Sequence, residues 1–309
     1  MSECGSDWPD LAELVYQAAG QIPCGKVATF GDIAAALGDR AAAQAVSGLL
    51  ARAPPTVPRH RVVYATGEVG RGVPTALLES EGVPIRGAVV EDLEPRRFRD
   101  FLIEPVLRRM REEQEAVAAR VIANDDFDGA DRIAGLDVSY QGEEAFAALV
   151  VVDATGKVVM ERTVRCRVAF PYIPTFLAYR EIPPLRPLVE DRRRTIYLVD
   201  GQGLLHPRGA GIACHIGVAL DVPTVGAAKS LLVGTVKDEG AERSPVLVDG
   251  EVRGWALRQG RKATYVSVGH RVSLATAVEL CARILDRGIP APLRRAHELA
   301  NQARREAMA

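Results

Sequence analysis

Two aspartates stand where apolar runs end, Asp137 in GLDVSY and Asp200 in YLVDGQG. Asp is disfavoured inside strands, and a buried carboxylate needs a partner or a metal. If the two runs are neighbouring strands, both carboxylates reach one edge of the sheet. That arrangement suits a hard divalent cation such as Mg²⁺, which takes oxygen ligands and keeps some water. Glu181, on an expected helix after PYIPTFLAYRE, and His270, after the strand YVSVG, complete a candidate set for metal-assisted phosphoryl chemistry. Each residue alone also has a plainer reading: a strand-end Asp as a turn or cap residue, His270 as a hydrogen-bonded core or loop histidine. Spacing carries the set as far as a metal-dependent enzyme and no further.

Other stretches bear on the same chemistry. VGAAKS places Lys229 after a strand, and HPRGAGIACHIG puts two histidines and an arginine before a helix. The glycine-rich DGQGLLHPRGAG permits close backbone approach to a ligand, but it is not a Walker loop, because GxxxxGK[ST] is absent. PYIP holds Tyr172 between prolines, which is either a surface turn or a stiff wedge for a base stack.

The elements that must position these residues fall into two halves. Residues 1–90 read as mostly helical. Thr29 and Asp32 have capping-box spacing, and two short helices around Gly38-Asp39 follow, a pattern shared by DNA-binding helix-turn-helix units and ordinary helical hairpins. Residues 93–120 read as a charged helical connector with six arginines between Arg96 and Arg111, solvated or in contact with phosphate. From Arg132 the runs RIAGLDVSY, AFAALVVVDA, KVVMERTVR and TIYLVD read as strands, the last with the unbroken apolar character of a buried one. Helices and shorter strands follow, giving an α/β domain around one sheet.

Composition narrows the partners. Net charge is −1 over 309 residues, so any nucleic-acid surface must be local. Five cysteines without a CxxC pair read as reduced thiols in a cytoplasmic protein. No signal peptide or membrane-spanning run is expected.

Residues from about 104 to 303 resemble endonuclease V, the deoxyinosine-specific nuclease, through GLDVSY, PYIPTFLAYRE, VDGQGLLHPRGAGIACHIGVALDVPTVGAAKS and YVSVGHRVSL. The resemblance implies a ribonuclease H-like fold, a Mg²⁺ or Mn²⁺ cofactor, and hydrolysis of the second phosphodiester 3′ to a deaminated base, leaving 3′-hydroxyl and 5′-phosphate ends. It implies Asp137, Asp200 and Glu181 as metal ligands, His270 as the fourth active-site group, and Lys229 at the cleaved phosphate. Tyr172, Ile173 and Pro174 would form the strand-separating wedge, and Gly201 and Gly203 would line the pocket for the extruded base. Val268 stands where that family commonly has proline.

Residues from about 7 to 93 resemble the DNA-binding domain of O6-alkylguanine-DNA alkyltransferases, a winged, mainly helical unit, through IPCGKVATFGDIAAALG, AQAVSGLLARAP, VPRHRVVYATGEVG and LLESEG. Where those proteins have the acceptor cysteine, this chain has Arg59. The alkyltransferase-like proteins, which bind alkylated guanine without transferring the group, also lack that cysteine. The resemblance therefore implies lesion recognition by Phe30, Gln44 and Arg59 without alkyl transfer; Cys24 is expected to lie far from the acceptor motif. Arg59 would either contact a flipped base or plug its pocket.

The organisation expected is a lesion-binding domain over 1–93, a link over 94–103 and an endonuclease V domain over 104–309. The expected partner is DNA carrying deoxyinosine or alkylated guanine, with downstream repair proteins as further partners. Two other functions remain open on sequence: a non-cleaving lesion sensor and an inosine-specific ribonuclease.

Overall fold

The computed structural model describes residues 8–190, 194–238 and 240–308, which divide into two compact units. One comprises 8–111 with 169–174, the other 112–168 and 175–308.

The first unit is built on helices α1 (Leu11–Gly20), α2 (Phe30–Ala36), α3 (Ala43–Ala51) and α4 (Thr75–Ser80). The expected capping box closes α2: the Asp32 amide donates to Thr29 Oγ1 at 3.1 Å and the Thr29 amide to Asp32 Oδ2 at 2.9 Å. Val27, Val63, Val69, Leu78, Val83 and Val90 form a core beside these helices. A small hairpin pairs Ile85–Arg86 with Val89–Val90, the wing of a winged-helix unit.

The charged connector expected to be helical over 93–120 is helical only in part. A single turn at Leu93–Arg96 is followed by extended chain, and α5 spans Val106–Ala119. The reason is backbone pairing: Phe98 donates to Val27 O at 2.7 Å and Val27 to Arg96 O at 3.0 Å, which draws the segment alongside the chain before α2. Its arginines are largely matched to acids. Arg97 grips Asp32 and Glu94, Arg99 pairs with Glu94, Arg109 with Glu104 and Arg111 with Asp39.

The second unit is a nine-stranded sheet with helices α6 (Leu177–Leu185), α7 (Ile212–Leu220), α8 (Leu274–Arg283) and α9 (Ala291–Glu306). Its strands are β1 (Arg132–Gln141), β2 (Glu144–Asp153), β3 (Val158–Arg167), β4 (Thr195–Val199), β5 (Thr224–Ala228), β6 (Thr235–Val236), β7 (Arg243–Val248), β8 (Glu251–Gln259) and β9 (Lys262–His270). The order is 6-7-8-9-5-4-1-2-3, with β1, β4 and β5 parallel and the other pairings antiparallel. The meander β1–β3 followed by two parallel strands is the ribonuclease H-like sheet. β4 and β5 are buried at every position, as their apolar runs require.

Helix α9 packs Ala296 and Ala300 on Ala148 and Val150 of β2. Gly135 of β1 lets it approach: a Cβ there would collide with the Pro292 carbonyl and lie 2.5 Å from the Leu293 amide. One cysteine departs from expectation, since Cys166 is disulfide-bonded, whereas Cys24, Cys214 and Cys281 are free thiols. Among the described residues no helix is long and apolar enough to cross a membrane.

Candidate active site

Register brings the two aspartates together. Leu136 pairs with Val199 in the parallel β1–β4 ladder, and the Asp200 amide donates to Leu136 O at 3.2 Å. The next residue on each strand is the carboxylate, so Asp137 and Asp200 share one edge. Asp137 is buried, with Oδ1 accepting the Val138 amide at 2.9 Å and Oδ2 facing His297 Nδ1 at 2.6 Å. Lys229, just past β5, donates from Nζ to Asp200 Oδ2 at 2.6 Å.

The electrostatics are those of crowded like charges. Burial, then the Asp137 and Asp200 charges, push Glu181 well above the usual carboxylate range, against Arg180 and Lys229. Burial and Asp137 likewise raise Asp200, with Lys229 opposing. Burial works against the charge on Lys229, but Asp200, Asp137 and Glu181 together outweigh it and hold the ammonium above its ordinary value. His297 is raised, first by its hydrogen bond to Asp137. Asp137, Asp200 and His297 each offer an atom within 4.8 Å of the others, a donor set that fits a divalent cation. Glu181 is close enough to feel both aspartates but is outside that trio.

His270 does not join them. β9 runs antiparallel to β5, pairing Tyr265 with Ala228 and His270 with Thr224. Lys229 follows the far end of β5, so His270 sits at the opposite edge of the sheet, roughly 15 Å of strand away. There it is buried, its Nδ1 accepts the Ile122 amide at 3.2 Å, and its Nε2 lies 3.7 Å from Asp221. The fourth position is taken instead by His297, which sequence reasoning missed. The available signal was its place, with Asn301 one turn on, beside the buried stripe Leu293, Ala296 and Ala300 of α9.

The remaining residues divide by exposure. Tyr172 is 64% exposed and Pro174 is exposed, whereas Ile173 is fully buried and offers no surface. The next residue, Thr175, has φ +67°, a rare conformation for a β-branched residue. Its carbonyl accepts from Gln114 (2.8 Å), His206 Nε2 (3.1 Å) and Arg208 Nη2 (2.7 Å), and its hydroxyl from Arg208 (2.6 Å). Burial, then Arg208, lower His206 to about 4, keeping the ring neutral. This is the work of the HPRG stretch: it fixes the chain leaving PYIP. Gly201 and Gly203 are packed against protein, since a Cβ on the first would strike Ile212 and on the second the Val268 carbonyl.

In the first unit Phe30 makes an edge-to-face contact with the half-exposed Tyr64, ring centroids 5.1 Å apart. Gln44 is exposed at the start of α3, and exposed Arg59 donates to Ala51 O at 3.2 Å, at the end of that helix. His60 Nε2 lies 2.8 Å from Glu81 Oε1, and Arg61 binds the same carboxylate through Nε and Nη2. The Cys24 loop, expected far from this motif, folds against it: Arg61 Nη1 donates to Ile22 O at 2.7 Å and the Gly25 amide to Glu81 Oε2 at 3.4 Å.

Comparison with known proteins agrees with this division. The profile of endonuclease V matches residues 115–298, and that of the 6-O-methylguanine DNA methyltransferase DNA-binding domain matches 10–83. A Picrophilus torridus protein called a bifunctional methyltransferase/endonuclease is 34% identical over 299 residues, covering 94% of this chain and 95% of its own length. The crystal structure of endonuclease V from Streptomyces avermitilis is 36% identical, covers 65% of this chain and 94% of that one, and has a TM-score of 0.59. The Ciona intestinalis endonuclease V, solved with a 24mer DNA containing an inosine followed by a ribo-adenosine, is 26% identical, covers 65% of this chain and 98% of that one, and has a TM-score of 0.59. The chain belongs to the endonuclease V family and carries an alkyltransferase-type DNA-binding domain ahead of its nuclease.

Proposed function

We propose that this nuclease hydrolyses the second phosphodiester 3′ to deoxyinosine, leaving 3′-hydroxyl and 5′-phosphate ends, and that its first domain recognises alkylated guanine without chemistry. The observation that carries the nuclease half is the convergence of Asp137 and Asp200 on one sheet edge, with Glu181 raised beside them. Asp137 and Asp200 hold the cation, Mg²⁺ or Mn²⁺, and Glu181 completes the acidic set. When bound, the cation supplies an activated water and balances charge on the phosphate. Lys229 opposes the burial and the Asp137 charge that raise Asp200, holds that carboxylate at the edge, and offers its exposed ammonium to phosphate. Tyr172 is the exposed ring of the wedge, with Ile173 and Pro174 as its rigid base. Gly201 and Gly203 shape the base pocket by allowing the loop after β4 to pack tightly. Extrusion costs less at a mispaired inosine, which favours the damaged site. The functional division runs through 94–103, with lesion recognition before it and cleavage over 104–309.

A labelled inosine duplex incubated with the full chain and Mg²⁺ tests this. We expect one nick at the second 3′ linkage, lost in Asp137→Ala while the duplex is still bound. Retained cleavage by that variant would refute the metal assignment, and binding without any nick by the unmodified chain would make it a lesion sensor. The ribo-adenosine beside inosine in the Ciona complex favours a second reading, cleavage of inosine-containing RNA. Competition between matched DNA and RNA duplexes decides between them.

A further inference from the structure

His297 and Asn301 lie one turn apart on α9, and the Asn301 amide has two ends that can be told apart by their neighbours. One end is 2.9 Å from the His297 carbonyl oxygen and 3.1 Å from His297 Nε2. The other is 3.0 Å from Ser139 Oγ, two residues beyond Asp137 on β1. A carbonyl oxygen only accepts, so the end facing it is the NH₂ group. The same NH₂ faces Nε2, which must therefore present a lone pair. The neutral imidazole then carries its proton on Nδ1, 2.6 Å from Asp137 Oδ2. Ser139, Asn301, His297 and Asp137 form one directed chain, each donating to the next.

We propose that Asn301 is a positioning residue that selects the Nδ1–H form of His297 and so makes this histidine a hydrogen-bond donor orienting Asp137, not a direct ligand of the cation. Ligation through Nδ1 would require that nitrogen bare and Nε2 protonated, which sets two donors head-on. The amide would have to turn over, setting its oxygen against the His297 carbonyl oxygen and reversing the bond with Ser139, whose hydroxyl would have to accept. The outer partner of the histidine is what fixes its role. Only the orientation of Asp137 toward catalysis rests on the proposed nuclease reading; the protonation pattern does not.

The test is ¹⁵N–¹H correlation of the imidazoles in the metal-free full chain, with the His297 signal identified by its loss in His297→Gln. We expect the Nδ1–H form, a move toward Nε2–H in Asn301→Leu, and a smaller move the same way in Ser139→Ala, which perturbs packing little. Saturating Mg²⁺ should leave the Nδ1–H form in place. In the nicking assay Asn301→Leu should lower kcat about tenfold at unchanged KM, with part of the loss restored in Asn301→Gln, which keeps an NH₂ donor. An Nε2–H form in the unmodified protein, no response to either variant, or a switch to Nε2–H with Mg²⁺ would overturn the proposal. If the unmodified chain left inosine DNA uncut, the proposed activity would fall while the metal-free spectra still judged this inference.

Discussion

Both units set a histidine against a carboxylate, but they finish the arrangement in opposite ways. In the first, Glu81 takes His60 and the Nε and Nη2 of Arg61, so its charge is answered within the domain and its pKa falls to about 2, chiefly through Arg61. In the second, Asp137, Asp200 and Glu181 crowd one edge, Asp200 and Glu181 are raised, and an exposed lysine and histidine answer them only in part. A closed network stabilises a fold; an edge left rich in like charge is poised for a cation and a substrate.

The sharpest break of this contrast is Arg97→Ala. Arg97 binds the almost fully buried Asp32 through Nε and Nη2, and its loss strands a buried carboxylate, at a cost of about 3–5 kcal/mol. Calorimetry of the full chain should show the first unit melting early and the nuclease transition unmoved. Next comes Gly135→Ala in the nuclease. The added methyl meets the Pro292 carbonyl and pushes α9, with His297, away from β1. Overpacking of this kind costs about 1–3 kcal/mol, and nicking should fall more than stability because Asp137 loses its donor. Full activity in this variant would mean that the helix can shift without disturbing the site.

Acid separates the two networks further. Glu81 is depressed in the folded state, so its contribution is complete above its unfolded value near 4.5 and is lost as pH falls toward about 2. The melting temperature of Glu81→Gln should therefore trail the unmodified protein most above pH 4.5 and converge with it near pH 2. Glu181 and Asp200 are shifted the other way, so folding binds protons at this edge and acid relieves its repulsion. A constant gap down to pH 2 would contradict the Glu81 assignment.

How much of this was legible in sequence depended on whether the information was local. Asp137 and Asp200 could be read because each ends an apolar run, and neighbouring parallel strands then bring the ends together. The Thr29–Asp32 cap needs only three residues and was read correctly. His270 was misplaced because a strand-end histidine looks the same whichever way its strand runs, and β9 runs against β5. His297 was missed because its partner Asp137 is 160 residues away and the contact depends on the absent side chain of Gly135. The connector expected to be helical across 93–120 is interrupted for a similar reason, since Val27 competes for the backbone of Arg96 and Phe98.

The smallest expected effect on stability is the one that decides what the first unit does. Arg59 is exposed and donates to the Ala51 carbonyl at the end of α3, where a cation also meets the negative end of the helix. Arg59→Ala should therefore shift stability by about 0.5 kcal/mol or less. A guanidinium held at the end of the helix that carries the exposed Gln44 is free to stack on or hydrogen-bond a base. Fluorescence titration with an O6-methylguanine duplex and its undamaged counterpart should show the preference for the lesion lost in Arg59→Ala while undamaged DNA binds as before. Tighter lesion binding by the variant would instead make Arg59 a plug, and the first unit would then resemble the nuclease edge less than it does now: a site closed by its own side chain, not one awaiting a ligand.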